Sequence, residues 1–291
     1  MKRRLGNPGV SVLRLSALFG MTIVAHEGHG GGVLKQTMPG FLLHWMSRYE
    51  HVLLRPINWL ARSDWAYRFE PTRRFVEWTS RRVKNIVSGE VLTLDEVHSM
   101  LDTLFDRGET VATGTCPCRR ARNEISDTVP NNTDMVFGRW ADEYVRNYPG
   151  LYHRLEPDEA RELVGEFDRC GFVHQVYGLR HAEGAAYVLC NCDRSVCIPM
   201  HAQRDRGIQA FLKGRSVAAV DTGDCVGVEE CGACLARCPF GARVERNGRG
   251  WVDAEACFGC GLCVSTCRGE ASRLERREGA GLVYTRELVG P

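Results

Sequence analysis

The chain lacks the sequence signatures of nucleotide-dependent and hydrolytic enzymes. Its 291 residues contain no glycine-rich strand–turn–helix segment for a dinucleotide, no phosphate-binding loop and no serine-nucleophile elbow. The histidine-containing segment HEGHGGG (26–32) lacks the spacing of a helical zinc protease, so we interpret it as a linker. These absences argue against a self-sufficient substrate site.

Long hydrophobic runs are also scarce. The clearest one, VSVLRLSALFGMTIVA (10–25), follows Lys2, Arg3 and Arg4 and resembles a signal peptide or a twin-arginine export signal. Arg14 interrupts this run, which is also shorter than the about 20 apolar residues that a membrane-spanning helix needs. We therefore predict a cytoplasmic protein and keep export as the alternative.

The net charge of +2 is small and conceals an asymmetry. Residues 1–90 carry 14 Lys and Arg against 6 Asp and Glu, a net charge of +8, and the remaining 24 and 30 give −6. A basic region can bind an acidic partner or an anionic membrane surface. The basic stretch at 72–84 comes without a nucleic-acid recognition fold, so we predict no nucleic-acid partner.

Hydrophobic periodicity divides the chain into three regions and predicts an α+β protein. Residues 1–90 form a basic region that we expect to be helical and rich in tryptophan. Its aromatic residues are expected to pack on the protein's own core or on a partner subunit, and association with a membrane surface is the alternative. Residues 91–215 are expected to form a small α/β domain, and residues 216–291 a separate cysteine-rich domain.

Two local signals support the α/β prediction for the middle region. Thr93 and Glu96 have the spacing of a capping box at the start of a helix. The segments FVHQVYG (172–178) and AAYVLCN (185–191) predict two strands joined by a polar loop.

Cysteine is present in unusual number, with 14 residues at short spacings. In an intracellular protein such clusters indicate metal binding more often than disulfides. Eight of them occur in two C-terminal runs, CVGVEECGACLARC (225–238) and CFGCGLCVSTC (257–267). The second run has the spacing C-x2-C-x2-C-x3-C, and the first matches it from its second cysteine onward.

These two runs resemble the bacterial-type ferredoxins that hold two [4Fe–4S] clusters. The resemblance implies two ligand sets: Cys225, Cys231, Cys234 and Cys267 for one cluster, and Cys238, Cys257, Cys260 and Cys263 for the other. Asn247-Gly248, between the runs, predicts a hairpin turn. Zinc is the competing interpretation, but zinc sites usually separate their cysteine pairs more widely, which favours iron.

The chain departs from the ferredoxin pattern in two places. Five residues separate Cys225 from Cys231, where ferredoxins have two. Arg268 follows the last cysteine, where proline is common. A nearby cation stabilises a reduced cluster, so we expect Arg268 to raise the potential of its cluster.

Five of the remaining cysteines suggest a third metal site, either iron–sulfur or zinc. They are Cys116 and Cys118 in CPCR, and Cys190, Cys192 and Cys197 in CNCDRSVC. We expect the thiols of a C-x-C pair to converge only where the backbone turns, as Pro117 and Asn191 would favour. His174 and His181 are candidate fourth ligands. A thiol–disulfide pair for redox sensing and inert reduced thiols are the alternatives, and Cys170 is expected to be a small buried apolar residue.

The combination of CPCR, CNC and the ferredoxin-like end resembles a group of bacterial 4Fe–4S-binding proteins over residues 91–291. This resemblance implies no particular activity. We predict an iron–sulfur electron-transfer protein, or a subunit of an oxidoreductase, that exchanges single electrons with a partner protein rather than acting as a stand-alone enzyme. A redox or metal sensor, and a reductase acting at the third metal site, are the alternatives.

Overall fold

A computed structural model describes residues 10–15, 21–26, 39–84, 87–179 and 185–290. Within these ranges the chain has a mixed α/β architecture. The strands are β1 (Val10–Leu15), β2 (Met21–His26), β3 (Val87–Leu92), β4 (Val111–Gly114), β5 (Asp134–Phe137), β6 (Tyr152–Arg154), β7 (Val173–Leu179), β8 (Ala185–Cys192), β9 (Phe211–Leu212), β10 (Ser216–Val220), β11 (Arg243–Arg246), β12 (Arg249–Val252) and β13 (Ser272–Arg276). The helices are α1 (Gly40–Arg62), α2 (Asp64–Arg68), α3 (Glu70–Lys84), α4 (Leu94–Asp106), α5 (Pro117–Arg122), α6 (Arg139–Asn147), α7 (Pro157–Cys170), α8 (Ile198–Arg206), α9 (Ala233–Arg237), α10 (Leu262–Ser265) and α11 (Arg286–Val289).

A seven-stranded sheet forms the centre of the molecule, with strand order β6-β4-β5-β8-β7-β3-β9. Neighbouring strands are antiparallel except β3 and β9, which are parallel. The two strands predicted in the middle region are β7 and β8, which pair directly, so that prediction is confirmed. Gln175 pairs with Cys190 and Val173 with Cys192, which places all four side chains on one face of the sheet.

Helices cover both faces of this sheet. On one face, Leu104 of α4 and Phe167 of α7 are buried against Val176 and Leu189 of the sheet. On the other face, apolar side chains of α1 and α6 lie in a second buried cluster with sheet residues such as Val188. Burying the apolar face of a sheet against an apolar helix stripe on each side is what stabilises a layered α/β unit.

The first helix of this unit begins as the sequence predicts. The Thr93 hydroxyl accepts a hydrogen bond from the Glu96 backbone N–H at 3.3 Å, and the Thr93 N–H donates to Glu96 Oε2 at 2.8 Å. The capping-box prediction is therefore confirmed. Arg215 Nε also donates to Glu96 Oε1, at 2.5 Å, which ties the start of α4 to the segment that leads into the C-terminal module.

The N-terminal region is less uniformly helical than expected. Helices α1, α2 and α3 lie within residues 40–84, but β1 and β2 form an antiparallel pair earlier in the chain. These two segments are rich in Val, Ile and Leu, and β-branched residues favour a strand. The arginine pair of the proposed export signal and residues 27–32 of the predicted linker lie outside the described residues.

The predicted domain boundaries do not separate the elements cleanly. Strand β3 starts at Val87, so the central sheet begins before residue 91. The last residues return to this sheet, because the buried Glu90 carboxylate accepts hydrogen bonds from the backbone N–H groups of Val283, Tyr284 and Thr285. Leu288 also lies in the central core. Within the described residues, no helix is both long and apolar enough to cross a membrane.

The C-terminal module is built from two similar halves. Each half consists of a strand, a cysteine-bearing loop, a short helix and a second strand: β10, α9 and β11 in the first half, and β12, α10 and β13 in the second. Strand β10 pairs with β13, and β11 pairs with β12. Asn247 and Gly248 join β11 to β12 with φ values of 52° and 73°, which fits a type I′ turn and confirms the hairpin prediction.

Candidate functional site

The C-terminal module contains two cavities lined by cysteine. The first is lined by Cys225, Cys231, Cys234 and Cys267. All four cysteines are half-buried. They come from both runs and are the four that the ferredoxin resemblance groups together.

The second cavity is lined by Cys238, Cys257, Cys260 and Cys263. Three of these cysteines are less than 10% exposed, and Cys238 is half-buried. Cys238 directly follows α9 and Cys267 lies two residues beyond α10, and each lines the cavity formed mainly by the other run. The second cavity is therefore the more enclosed of the two.

A buried arginine borders both cavities. Arg243 is 5% exposed, and its Nη2 group donates to Cys263 Sγ at 3.0 Å and to Ser272 Oγ at 2.9 Å. Its Nε and Nη1 groups are buried and have no hydrogen-bond partner within the described part of the chain. Unpaired buried donors are costly, so a bound group with acceptor atoms between the cavities would satisfy them.

The cavity walls also favour the thiolate form of a ligand. Burial alone would raise the pKa of Cys267, but hydrogen bonds from the Ser272 hydroxyl and from the backbone N–H groups of Ser272, Ala271 and Gly269 lower it below its usual value. The nearby Arg243 guanidinium acts in the same direction on Cys263, although burial raises the pKa of that thiol overall. Because metal binds the thiolate, such donors are suited to a cluster site.

The five upstream cysteines converge on a single place, although up to 81 residues of sequence separate them. The thiols shift one another's pKa values in the order Cys116, Cys118, Cys197, Cys192 and Cys190, so they are neighbours along a row. We call this set the upstream cysteine row. Cys118, Cys192 and Cys197 are at most 8% exposed, and the two cysteines at its ends are half-buried.

Three elements bring this row together. Cys116 immediately precedes α5, Cys190 and Cys192 lie on β8, and Cys197 immediately precedes α8. Backbone N–H groups at the starts of these two helices act to lower the pKa values of the thiols beside them: Arg119 acts on Cys116, Ile198 on Cys118 and Met200 on Cys197. The first-turn amides of a helix have no partner within the helix and are available for such interactions.

The two C-x-C pairs converge by different means. At Pro117 the chain turns from an extended residue into α5, as expected. At Asn191 the expected turn is wrong, because β8 continues through it and pairs Asn191 with His174. Residues two apart on a strand share a face, so Cys190 and Cys192 lie side by side without a turn.

The thiols of the row differ in acidity. Burial would raise the pKa of Cys197, but hydrogen bonds from Cys118 and Cys192 and from the Met200 N–H lower it to about 6. For Cys190 the hydrogen bond from Cys192 lowers the pKa, while burial and the Asp134 charge outweigh it and raise the value to about 12. Cys197 is therefore the main acceptor in the row, and Cys190 holds its proton.

A buried carboxylate network lies next to Cys190. Cys190 Sγ donates to Asp134 Oδ1 at 3.6 Å, and the Tyr152 hydroxyl donates to Asp134 Oδ2 at 2.6 Å. The Tyr144 hydroxyl donates to Glu50 of α1. Burial, followed by the charge of Glu50, raises the pKa of Asp134 to about 7.

Three further sequence expectations concern residues near these sites. His174 lies on the opposite face of the sheet from Cys190 and Cys192, with its Nδ1 atom 2.6 Å from Asn191 Oδ1, so it does not join the row. His181 lies outside the described residues. The expectation that Cys170 is buried is wrong, because it is exposed at the end of α7.

Several residues of these sites were missed by the sequence analysis. Arg243, Gln175 and Asp134 are buried polar residues beside cysteines, and their positions result from strand pairing. No pattern in the sequence predicts that these three polar residues are buried beside cysteines. Arg268, which the sequence analysis singled out, borders the first cavity but is exposed.

The cysteine geometry differs from that of a single-ion site. Within the described ranges, no group of three or more His, Cys, Asp or Glu side chains stands in an arrangement that could hold a metal ion. Comparison of the chain with protein-family models, with curated proteins and with solved structures gives no match. Evidence for function therefore comes from the geometry of the cysteines. A four-iron cluster distributes its four cysteines over separate irons, and each of the two C-terminal cavities offers four cysteines.

Proposed function

We propose that the protein is an iron–sulfur electron carrier, or an electron-transfer subunit, with two [4Fe–4S] clusters in its C-terminal module. The observation that carries this proposal is the division of eight cysteines into two cavities of four, with one cysteine of each run crossing to the other cavity. When bound, the clusters would supply reversible one-electron chemistry. Each transfer would move one electron from a donor protein to an acceptor, with no atom exchanged.

The residues around the cavities would have two different roles in such a carrier: they would shield a cluster from solvent and place positive charge beside it. Cys257, Cys260 and Cys263 are buried, so the second cavity is shielded from solvent. Arg243 would hold positive charge and donors between the two cavities. A buried cation favours the more negative, reduced state of a nearby cluster.

The surface beside the first cavity is the proposed docking site for the redox partner. The cavity's four cysteines are half-buried, and Asp221, Asp224, Glu229 and Glu230 are exposed in the loop that carries Cys225. A donor or acceptor protein with a basic surface around its own redox group would complement this loop. The transfer rate should then fall as salt is added, because screening weakens the attraction between exposed charges.

A second surface would be in contact with an anionic membrane. Phe41, Trp45, Tyr49, Val52 and Trp59 are each at least 41% exposed and fall within one face of α1 at helical spacing. Exposed arginines flank that face at seven-residue intervals: Arg48, Arg55 and Arg62. Aromatic side chains beside arginines on an amphipathic helix suit the lipid headgroup region.

Binding to lipid vesicles tests the membrane contact. The full chain should sediment with vesicles that contain anionic phospholipid and much less with purely zwitterionic ones. Replacing Trp45 by Ala should weaken binding by about tenfold, since fully burying a large apolar side chain contributes about 1.5–3 kcal/mol. Trp251→Ala, a control at an exposed tryptophan of the C-terminal hairpin, should bind as the parent does. Equal binding to both vesicle types, or self-association through this face, would refute the membrane contact.

The geometry favours electron transfer over the two alternatives. A sensor needs thiols that oxidants in solution can reach, whereas Cys118, Cys192 and Cys197 are buried. A reductase needs a substrate cleft at the upstream site. A larger cavity lies beside α8, and its walls, which include Met200, Phe240 and Phe258, contain no cysteine.

Anaerobic redox cycling tests the proposed function. The chain, purified without oxygen, should contain at least eight irons and as many sulfides, and should accept electrons from a chemical reductant with the paramagnetic signal of reduced clusters. It should return to the oxidised state with its iron intact. Loss of iron on every reduction, or a chain that folds without any iron, would refute an electron carrier.

A further inference from the structure

The larger cavity beside α8 shares a wall with the second cysteine cavity, because Phe240 and Phe258 line both of them. We call it the α8 cavity. We propose that the α8 cavity binds a quinone, and that this quinone accepts electrons from the cluster of the second cysteine cavity. Binding of the quinone does not depend on the cluster, whereas its reduction rests on the proposed function.

The α8 cavity has the size and the walls of a small-molecule site. Its volume of about 350 Å³ lies within the range of about 300–1,000 Å³ that is typical of ligand pockets. Phe211 is fully buried and Met200 is 3% exposed, and both belong to one buried apolar cluster. One side of the cavity is therefore part of the apolar core, which suits a mainly apolar ligand with few polar atoms.

The aromatic wall of the α8 cavity suits a flat ring. Phe240 and Phe258 are stacked, with ring centroids 4.3 Å apart and 24° between the ring planes. Phe211 meets Phe258 edge-on, at 5.4 Å between centroids. Aromatic rings pair in offset-stacked and edge-to-face arrangements, so a planar ligand would extend this set of rings.

The polar groups of the cavity are hydrogen-bond donors. Gln203 Oε1 accepts the backbone N–H groups of Ala210 and Phe211 at 3.1 and 3.3 Å, so the group that this side chain offers to a ligand is its NH2. Arg204 has donors only, and its Nε group donates to Asp205 Oδ1 at 2.7 Å, which holds the guanidinium in place. No acidic side chain is among the described residues that line the cavity. Such donors match the carbonyl oxygens of a quinone, which only accept hydrogen bonds.

The position of the cavity at the end of α8 disfavours a nucleotide cofactor. Gln203 and Arg204 belong to the last turn of α8, and Gly207 is its cap. A helix C-terminus carries partial negative charge, which repels phosphate groups. Asp205 also offsets the charge of Arg204. Nucleotide cofactors carry phosphate, whereas a quinone is neutral, so the quinone fits this end of the helix better.

The shared wall gives electrons a short route. A ligand in contact with Phe240 and Phe258 would be separated from the second cysteine cavity by side chains alone. Pro239, which directly follows Cys238, also lines the α8 cavity. Two one-electron transfers from the cluster, with two protons taken up from solvent, convert a quinone into a quinol. The donor protein would replace each electron, and no atom passes between the cluster and the quinone.

Helix α8 attaches the cavity to the N-terminal helices. Arg206 Nη2, at the end of α8, donates to Asp64 Oδ1 at 2.7 Å, and its guanidinium lies 4.9 Å from the ring centroid of Tyr67. Both partners belong to α2, as does Trp65, which is 70% exposed. Helix α2 directly follows the helix that we propose to contact a membrane. A lipid-soluble quinone would therefore find its binding site close to the lipid surface.

Binding of menadione, a small naphthoquinone, tests the ligand. Isothermal titration calorimetry of the oxidised, iron-loaded full chain should show one menadione bound per chain and no binding of flavin mononucleotide. Arg204→Leu should weaken the affinity for menadione by about tenfold, since it removes a hydrogen bond from a charged donor. Arg249→Leu, at an exposed arginine of β12 outside the cavity walls, should bind as the parent does. Equal affinity of Arg204→Leu and the parent, or tighter binding of flavin mononucleotide than of menadione, would overturn the quinone site.

Anaerobic reoxidation tests the electron transfer. The chemically reduced chain should convert menadione to its quinol and lose the paramagnetic signal of reduced clusters. Arg204→Leu, with its iron content as evidence of folding, should need about ten times more menadione for the half-maximal rate. Menadione that binds but leaves the reduced signal unchanged would overturn the quinone as acceptor and leave the electron carrier in place. Loss of iron on reduction would refute the carrier, whether or not the oxidised chain binds menadione.

Discussion

The C-terminal module and the central α/β unit both gather cysteines, but they do so in opposite ways. In the module, each run places its cysteines on one loop and one short helix, so most of a cavity is lined by residues close in sequence. In the central unit, the row is assembled from the starts of α5 and α8 and from β8. The first kind of site depends on loop conformation, whereas the second depends on the whole sheet being formed.

The two regions also differ in how they stabilise negative charge. The module places a buried arginine between its cavities, and Arg243 donates directly to a cysteine. In the upstream row, backbone N–H groups at two helix starts act to lower thiol pKa values, while the nearby buried Arg119 is paired with Asp193 at 2.8 Å. A full charge acts over a longer range than a backbone dipole. Substitution of the arginine should therefore affect both module cavities and leave the upstream site unchanged.

The largest expected effect concerns the loop of the second cavity. Gly259, between Cys257 and Cys260, has φ of +76°, and a Cβ atom there would lie 2.1 Å from the Ser216 carbonyl oxygen. Gly259→Ala should destabilise the fold by about 2–4 kcal/mol through overpacking and left-handed backbone strain. It should also lose about four irons. Urea unfolding and iron analysis measure both changes.

A second glycine distinguishes overpacking from left-handed backbone strain as the cause of the expected loss of stability and iron. Gly279 has a similar φ of +66°, but a Cβ atom there would meet nothing within 4 Å. Gly279→Ala should therefore cost only the about 1–2 kcal/mol of left-handed strain and keep all of its iron. Equal iron loss in the two variants would show that the close approach to Ser216 is unimportant.

A smaller effect should follow from removing the charge between the module cavities. Arg243→Met should lower the reduction potentials of the two module clusters by about 60–130 mV. This range reflects the about 1.5–3 kcal/mol of a hydrogen bond to a charged group, at 59 mV per tenfold change for one electron. A redox titration followed by electron paramagnetic resonance measures the shift.

Arg268 provides the comparison for Arg243. It borders the first cavity but is exposed, so solvent screens its charge and Arg268→Gln should shift the potentials much less. The earlier expectation that Arg268 raises the potential of its cluster remains a prediction, now with a smaller magnitude. A larger shift for Arg268→Gln than for Arg243→Met would contradict the role of the buried arginine.

The smallest expected effect concerns the carboxylate beside the upstream row. Burial and the Glu50 charge raise the pKa of Asp134 to about 7 from 3.8. The folded chain therefore holds this proton more tightly than the unfolded chain. The resulting stability is complete below about pH 4 and is lost as the pH rises through 7.

Thermal unfolding between pH 6 and 8 measures this contribution. The parent chain should lose about 1 kcal/mol over that range from this group, and Asp134→Asn should show a flatter dependence. Asp127→Asn, at an exposed aspartate, should follow the parent. Parallel curves for the parent and Asp134→Asn would show that Asp134 is ionised in the folded chain across this range.

Local signals in the sequence predicted several elements of the fold. The Thr93–Glu96 capping box, the Asn247-Gly248 hairpin and the β7–β8 pair each depend on residues close together in the chain. The grouping of the eight C-terminal cysteines was stated as what the resemblance to two-cluster ferredoxins implies. The strands β1 and β2 were missed, because short apolar segments do not distinguish strand from helix by periodicity.

The sequence by itself predicted which residues are candidate metal ligands in this protein, because clustered thiols at two-residue spacings are typical of metal sites. Only the tertiary structure decided which of them meet. Cys118 and Cys197 come together because α5 and α8 start at the same face of one sheet, and Arg243 lies between two cavities because strand β11 passes there. Burial and long-range contact are properties of the packed chain, and no short stretch of sequence encodes them.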